Sequence, residues 1–398
     1  MKKDPAKRLQ STLQINEFSG VNPSISDSAT FAFPDAETMT DCFQGKTENA
    51  FLYSRHWNPT NLALSKALAA MENTEAAWVT GSGMGAITCA ILEVCKAGDH
   101  IISSQTIYGG SFAFLKNYVP KLGIEVTFVD ITNMDDVVSS VKSSTKLIYT
   151  ESVTNPLLQV TDIPVLADFA HENNLKLIID NTFTPMIISP CELGADITVY
   201  SMTKFINGTN DCVAGAICGS HDFIAALTDV NEGTAMLLGP VLDSLRASSI
   251  HKNLFTLHIR MQKHSSNAQF VAEQFEKRGI KISFPGLESH PQHILMKEIM
   301  NPEFGFGGIL AIDLKTKDIA SKFMVAMQNR NLGYIAVSLG YYKTLFSNSG
   351  TSTSSEVPTN LQDKMGLSEG LVRFSVGLDQ DIQDTWDQIE ICLKEIGL

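Results

Sequence analysis

Residues 175–206 read LKLIIDNTFTPMIISPCELGADITVYSMTKFI, and the two short apolar runs inside this stretch decide the fold. LKLIID (175–180) and DITVYS (196–201) are rich in Ile, Val and Thr and do not alternate cleanly with polar residues, which suits strands buried on both faces. Four runs of the same kind precede them: AAWVT (76–80), HIISS (100–104), IEVTFVD (124–130) and KLIYTE (146–151). Helix-length segments separate most of these. In DIPVLADFAHENN (162–174), Asp162 is placed to cap, Pro164 falls in the first turn, and Ile163, Leu166 and Ala170 share a face. Strand, helix, strand, repeated, predicts an α/β fold with a mostly parallel sheet covered by helices. VAGAICGS (213–220) predicts one strand more.

On either side of this region the pattern changes. Residues 1–57 show no sustained periodicity, carry Gly20, Pro23, Pro34 and Gly45 between short apolar pieces, and read as an arm that must lie on another surface. Residues 58–255 form the sheet-bearing domain, and 256–398 a smaller α+β domain. The latter is expected to hold a long helix at 258–278, strands at 307–314 and 371–376, and a closing helix at 380–396. SNSGTSTSS (347–355) reads as a polar loop and a candidate lid.

Composition narrows the function. The 43 acidic residues outnumber the 30 basic ones, giving a net charge of −13, the wrong sign for binding nucleic acid. No apolar run approaches the ~18 residues a membrane span needs, and MKKDPAKRLQ has no apolar segment after its charges, so no signal peptide is expected. The seven cysteines are scattered and never spaced CxxC, as expected of reduced thiols in a cytoplasmic protein without a metal site. His290 and His293, flanking a proline in SHPQH, read as a surface loop.

Three features carry chemistry. Gly81-Ser82-Gly83-Met84-Gly85-Ala86 follows an expected strand and opens an expected helix, so its backbone N–H groups form an anion site suited to phosphate. It also fits the dinucleotide fingerprint G-x-G-x-x-A. Against that, some 80 residues precede it, and HIISS runs into Gln105 and Thr106 where a ribose-binding acid belongs. Glu151, Asn155, Asp180, Ser201, Thr203 and Lys204 all fall at or just beyond strand ends, the edge where parallel sheets bind ligands. A phosphate cradle, a carboxylate in need of a cation and a lysine flanked by hydroxyls would together hold a phosphorylated cofactor with a protonatable ring nitrogen, bonded to the lysine as a Schiff base.

YSRHWNPT (53–60), GSGMGAIT (81–88), TIYGG (106–110), ESVTNP (151–156), IIDNTF (178–183), SMTKFINGTND (201–211), AVSLG (336–340) and GLVRFSVGLD (370–379) resemble the Cys/Met-metabolism family of pyridoxal-phosphate enzymes. Within that transsulfuration family, which includes cystathionine γ-lyases, cystathionine γ-synthases and sulfhydrylases, the likeness is greatest to the methionine γ-lyases, their plant-type branch in particular. The resemblance implies an aspartate-aminotransferase-like fold and pyridoxal 5'-phosphate as cofactor. By the same resemblance, Lys204 would bond to the cofactor and shuttle protons, and Asp180 would pair with the pyridinium nitrogen. Gly83, Met84, Ser201 and Thr203 would hold the phosphate, and Asn155 the ring hydroxyl. Tyr108 would stack on the ring and act as acid or base, and Arg373, with Ser338 nearby, would grip the substrate carboxylate. Tyr53 and Arg55 would reach the phosphate of a neighbouring subunit, which implies shared active sites in a homotetramer built as a dimer of dimers.

Departures from the family pattern bear on the substrate. Cystathionine enzymes usually carry glutamate immediately before Ser-Leu-Gly. Here that residue is Val337, and a buried valine favours an uncharged thioether such as methionine. Where many bacterial methionine γ-lyases have cysteine two residues after the active-site tyrosine, this chain has Gly110. NGTND (207–211) stands where many relatives have Gly-His-Ser-Asp. The expected activity is γ-elimination from methionine or a related sulfur amino acid. The rivals are cystathionine γ-lyase, γ-replacement on an activated homoserine, a nicotinamide-dependent oxidoreductase, and a binding protein without a cofactor.

Overall fold

Runs of β-branched and aliphatic residues with no polar side must find cover on both faces, and they do. The computed structural model describes residues 4–12, 15–44, 46–47, 50–348 and 368–398. Its larger sheet comprises β1 (Ala76–Thr80), β2 (His100–Ser104), β3 (Glu125–Val129), β4 (Thr145–Glu151), β5 (Lys176–Asp180), β6 (Ile197–Ser201) and β7 (Gly215–Gly219), in the order β1-β7-β6-β5-β4-β2-β3. Strands β2 to β6 pair in parallel. β7 runs antiparallel to both of its neighbours, so β1 points the same way as β6, and the carboxyl ends of β1, β2, β4, β5 and β6 share one edge.

Alternate residues serve opposite cores. Leu177 and Ile179 pack with helices Pro59–Glu72, Ile163–Glu172 and Ser244–Leu254, whereas Ile178 joins Trp78, Tyr149 and helix Gly83–Val94 on the other side. Each such side chain, fully buried, contributes roughly 1.5–3 kcal/mol, so the sheet is held mainly from its two faces. Gly215 marks a close approach. It pairs with Thr80 on β1 and with Ser201 on β6, and a Cβ on it would lie 2.2 Å from the Ser82 carbonyl oxygen.

Helix Pro59–Glu72 ends in a buried carboxyl. Glu72 accepts from the Tyr200 hydroxyl, from Thr198 Oγ1 at 3.1 Å and from the Cys191 N–H at 3.3 Å. Burial outweighs these contacts and pushes its pKa up to about 7.

The second sheet, in the order β10-β11-β12-β9-β8, holds β8 (Lys281–Ser283), β9 (Ile309–Asp313), β10 (Tyr334–Ile335), β11 (Leu345–Asn348) and β12 (Leu371–Ser375). Helices Leu257–Lys277, Lys317–Asn329 and Ile382–Glu395 cover it, packing Phe275, Phe323 and Trp386 in one core with Phe374 of β12. Among the described residues no helix is long and apolar enough to cross a membrane.

Three expectations need correction. His290 and His293 are buried, and His293 opens helix His293–Ile299 with its Nδ1 2.9 Å from the Pro285 carbonyl. Ser347 and Asn348 belong to β11 and are buried, and the rest of the expected 347–355 loop lies outside the described residues. The arm does not lie wholly elsewhere. Helix Pro5–Gln10 buries Leu9 on its own chain, and Arg8 donates to the Ala70 and Met71 carbonyls and pairs with Glu192 at 2.8 Å. Beyond it, Ile15, Phe18 and Val21 are exposed.

Candidate active site

At the shared edge of the sheet, β1 leads through Ser82 into helix Gly83–Val94. Ser82 is extended, and its Oγ accepts from the Gly85 N–H at 2.9 Å, capping the helix. A Cβ on Gly83 would lie 2.6 Å from Ser201 Cβ, so only glycine lets this helix start approach the end of β6. The result is a cradle of backbone N–H groups beside the Ser201 and Thr203 hydroxyls.

Lys204 follows at once. Its Nζ donates to Ser338 Oγ at 3.2 Å, and burial, reinforced by the Arg373 guanidinium, pushes its pKa down to about 8. The turn after it is held by Arg260, which donates to the Phe205 carbonyl and, at 2.9 Å, to that of Ile206.

Asp180 ends β5. Its Oδ1 accepts from the Thr182 hydroxyl at 2.5 Å and from the Thr182 N–H at 3.0 Å, and Thr182 Oγ1 in turn accepts from the Ser201 N–H at 2.8 Å. Burial raises the pKa of Asp180 to about 6 against those hydrogen bonds. Glu151, at the end of β4, accepts from the Tyr108 N–H and from the Asn155 N–H, each at 2.8 Å. Burial and the nearby Asp180 push its pKa well above the carboxylate range. Arg373, on β12, is buried, and its Nη1 donates to Asn155 Oδ1 at 3.0 Å. That bond commits the Asn155 oxygen and leaves its NH2 group as a donor.

Gly83, Met84, Tyr108, Asn155, Asp180, Ser201, Thr203, Lys204, Val337 and Arg373 line one cavity of about 250 Å³, and Ser338 touches it through Lys204. Val337 is 66% exposed rather than buried, because it lies at the cavity mouth between β10 and β11. Tyr53 and Arg55 do not join this cavity. Arg55 lies over the Tyr53 ring, 5.7 Å from its centroid, and donates to the Met236 carbonyl at 3.1 Å. Gly110 lies against the Tyr108 ring, and a Cβ there would come within 2.5 Å of it. A larger recess of about 670 Å³ near His56, Lys66 and Asp229 gathers no comparable set.

Sequence reasoning left out Thr182, and placed Glu151 at the ligand edge without giving it a role. Thr182 lies inside the quoted IIDNTF, and Glu151 ends its strand as Asp180 does, so the strand-end rule that selected Asp180 selects Glu151 too. Among the described residues no three His, Cys, Asp or Glu side chains gather as metal ligands would.

The arrangement joins an anion cradle, an amine of lowered pKa, a buried carboxylate without an ion-pair partner among the described residues, and a buried guanidinium suited to a carboxylate. The family model for Cys/Met metabolism PLP-dependent enzymes matches residues 7–394. A methionine gamma-lyase of Arabidopsis thaliana is 43% identical over 394 residues, 97% of this chain and 89% of the relative. An L-methionine gamma-lyase of Fusobacterium nucleatum subsp. polymorphum is 37% identical over 376 residues, 94% of this chain and 93% of the relative. The crystal structure of cystathionine gamma-lyase from Lactobacillus plantarum complexed with L-serine superposes with a TM-score of 0.89 at 27% identity, covering 100% of this chain and 99% of that one.

Proposed function

Since the chain belongs to the Cys/Met-metabolism family of pyridoxal-phosphate-dependent enzymes, we propose that it is a carbon–sulfur lyase acting on L-methionine or a related sulfur amino acid, releasing a thiol, ammonia and 2-oxobutanoate. The observation that carries this reading is a cavity that gathers Lys204, Asp180 and Arg373 while its mouth presents the uncharged Val337 and Val213.

The residues fit the cofactor. The helix start at Gly83 and the Ser201 hydroxyl line the same cavity and would hold a phosphate, and buried Asp180 has no ion-pair partner among the described residues, a place that a protonated ring nitrogen would fill. Pyridoxal phosphate, when bound, supplies an aldehyde that takes up amines and a ring that delocalises the negative charge left by a departing proton.

This chain's residues do the rest. Lys204 would hold the cofactor. Its amine, which burial keeps below its ordinary pKa, would take the substrate α-proton and return protons to the substrate's carbons. Asp180 would hold a proton on the ring nitrogen, and so favour the ring's uptake of negative charge. Arg373 turns its planar fork to the substrate carboxylate, and Asn155 directs its NH2 group to the ring oxygen. The Tyr108 phenol protonates the departing sulfur at γ.

Tyr53 and Arg55 serve the phosphate of a neighbouring subunit, which makes the enzyme a homotetramer of dimers with shared sites. That reading is supported by their absence from their own chain's cavity and by the exposed Phe18 and Val21 of the arm. Division into 1–57, 58–255 and 256–398 follows the same reading, with the arm providing subunit contacts. Seven unpaired thiols favour the cytoplasm.

Incubation of the loaded enzyme with L-methionine tests the function. Equal release of methanethiol and 2-oxobutanoate is expected. The second reading, cystathionine cleavage or γ-replacement on activated homoserine, is favoured by the likeness to the Lactobacillus plantarum lyase. It predicts no methanethiol from methionine, and products that change when a thiol is added.

A further inference from the structure

The stretch Asn207-Gly-Thr-Asn-Asp211, which departs from the family pattern, bears directly on the active amine. Asn210 Oδ1 accepts from Ser338 Oγ at 2.9 Å, and Ser338 Oγ accepts from Lys204 Nζ at 3.2 Å. The turn that presents Asn210 is braced, because Asp211 Oδ1 accepts from Asn207 Nδ2 at 2.8 Å and from Thr209 Oγ1 at 2.7 Å. Asn210 itself is left-handed, with φ 52°, a conformation that Asn tolerates better than other residues bearing a Cβ.

A serine hydroxyl has one proton to give. We propose that Asn210 is a positioning residue for Lys204: by taking the Ser338 proton, it leaves Ser338 only an acceptor toward the amine and keeps the Lys204 lone pair free to face the cavity. Without Asn210, the Ser338 hydroxyl would be free to rotate and donate to that lone pair, masking the nucleophile. The other charged or titratable groups around Lys204 are Tyr108 after β2, Glu151 on β4, Asp180 on β5 and Arg373 on β12, with Arg260 beneath the turn. The Ser338 hydroxyl donates to Asn210, so the commitment of its proton is set there.

The inference rests on the reading of Lys204 as the amine that holds the cofactor. The test strips the full-length enzyme of pyridoxal phosphate and follows its recapture by absorbance across pH. In Asn210→Gly, which keeps the backbone conformation and removes the acceptor, the high-pH plateau rate is expected to fall by roughly 3- to 10-fold, the worth of one net hydrogen bond. Its pH midpoint is expected to move down, because the neutral amine gains a donor. Asn210→Asp keeps the acceptor and adds a negative charge, so its plateau should hold and its midpoint should rise. An Asn210→Gly enzyme with an unaltered plateau and midpoint overturns the proposal. So does an equal plateau loss in both variants, which would mean the turn serves folding alone. Lys204→Ala separates the premise: covalent capture at the normal rate in that variant would remove the reading of Lys204 itself, and the proposal with it.

Discussion

Glu151 and Asp180 face one another in register at the ends of two neighbouring parallel strands, both carboxyl groups almost fully buried. Burial raises the pKa of both, and the neighbouring Asp180 raises that of Glu151 further. Arg373 acts on Glu151 in the opposite sense, whereas Asp180 has no ion-pair partner among the described residues. The two carboxyls nevertheless have different surroundings. Both Glu151 oxygens are taken by the backbone N–H groups of Tyr108 and Asn155, whereas the hydrogen bonds to Asp180 fall on Oδ1. Glu151 therefore ties two loops together, and Asp180 keeps an oxygen for a ligand.

Asp180→Asn keeps the shape but cannot hold a proton on the ring nitrogen. The variant is expected to bind cofactor and to exchange the substrate α-proton with solvent more slowly, by on the order of 100-fold or more, since each lost pKa unit of stabilisation is worth about 1.4 kcal/mol. Proton NMR of the amino acid in deuterated buffer reads this directly. Wild-type exchange would remove the pyridinium role.

On the proposed reading, Val337, exposed at the cavity mouth, meets the distal group of the substrate. Val337→Glu places a carboxylate at the cavity mouth, where a distal ammonium group would meet it. The ratio of kcat/KM for cystathionine over methionine is expected to rise by about 10-fold, the scale of an interaction near 1.4 kcal/mol at a partly exposed site. An unchanged ratio would show that the mouth does not read the distal group.

Tyr53 and Arg55 provide a test by mixing. Arg55→Ala and Lys204→Ala should each be inactive or nearly so alone. When subunits of the two are unfolded together and refolded, a mixed dimer carries one cavity with an intact Lys204 served by an intact Arg55. About a quarter of normal activity is expected from statistical mixing of shared sites. Recovery of none would place Arg55 in the site of its own chain or outside any site.

Glu72 links stability to pH. Its carboxyl titrates near 7 when folded, against an ordinary 4.5. Between those values the folded chain binds the extra proton, so stability is greatest below about pH 4.5 and is lost as pH rises toward 7, by on the order of 3 kcal/mol. Urea midpoints measured at about pH 5 and about pH 8 should differ accordingly, and Glu72→Gln should remove this part of the difference.

Strands such as LKLIID and DITVYS were legible because burial on both faces leaves no polar alternation to interpret. The strand-end residues followed from them, since parallel pairing gathers carboxyl ends at one edge. β8, β10 and β11 were not legible, because two to four residues carry no period. The antiparallel run of β7 depends on neighbours distant in sequence, Thr80 and Ser201. Distance also hid the exposure of Val337, the burial of His290 and the bond between Asn210 and Ser338, because each is decided by what another segment brings beside it.

Gly215 has a consequence for how such an enzyme can diversify. Its missing side chain is the space through which β7 passes between Thr80 and Ser201. The loop carrying Lys204 and Asn210 is thus a bridge between two piers, Ser201 at one end and Gly215 at the other. Piers tolerate little drift, since a methyl group on Gly215 collides with the Ser82 carbonyl and moves the helix start that cradles an anion. The span between them is held as well, by the bonds of Asn207 and Thr209 to Asp211 and of Ser338 to Asn210. Change that leaves the piers and this turn in place is therefore expected around the exposed Val337, at the mouth of the cavity.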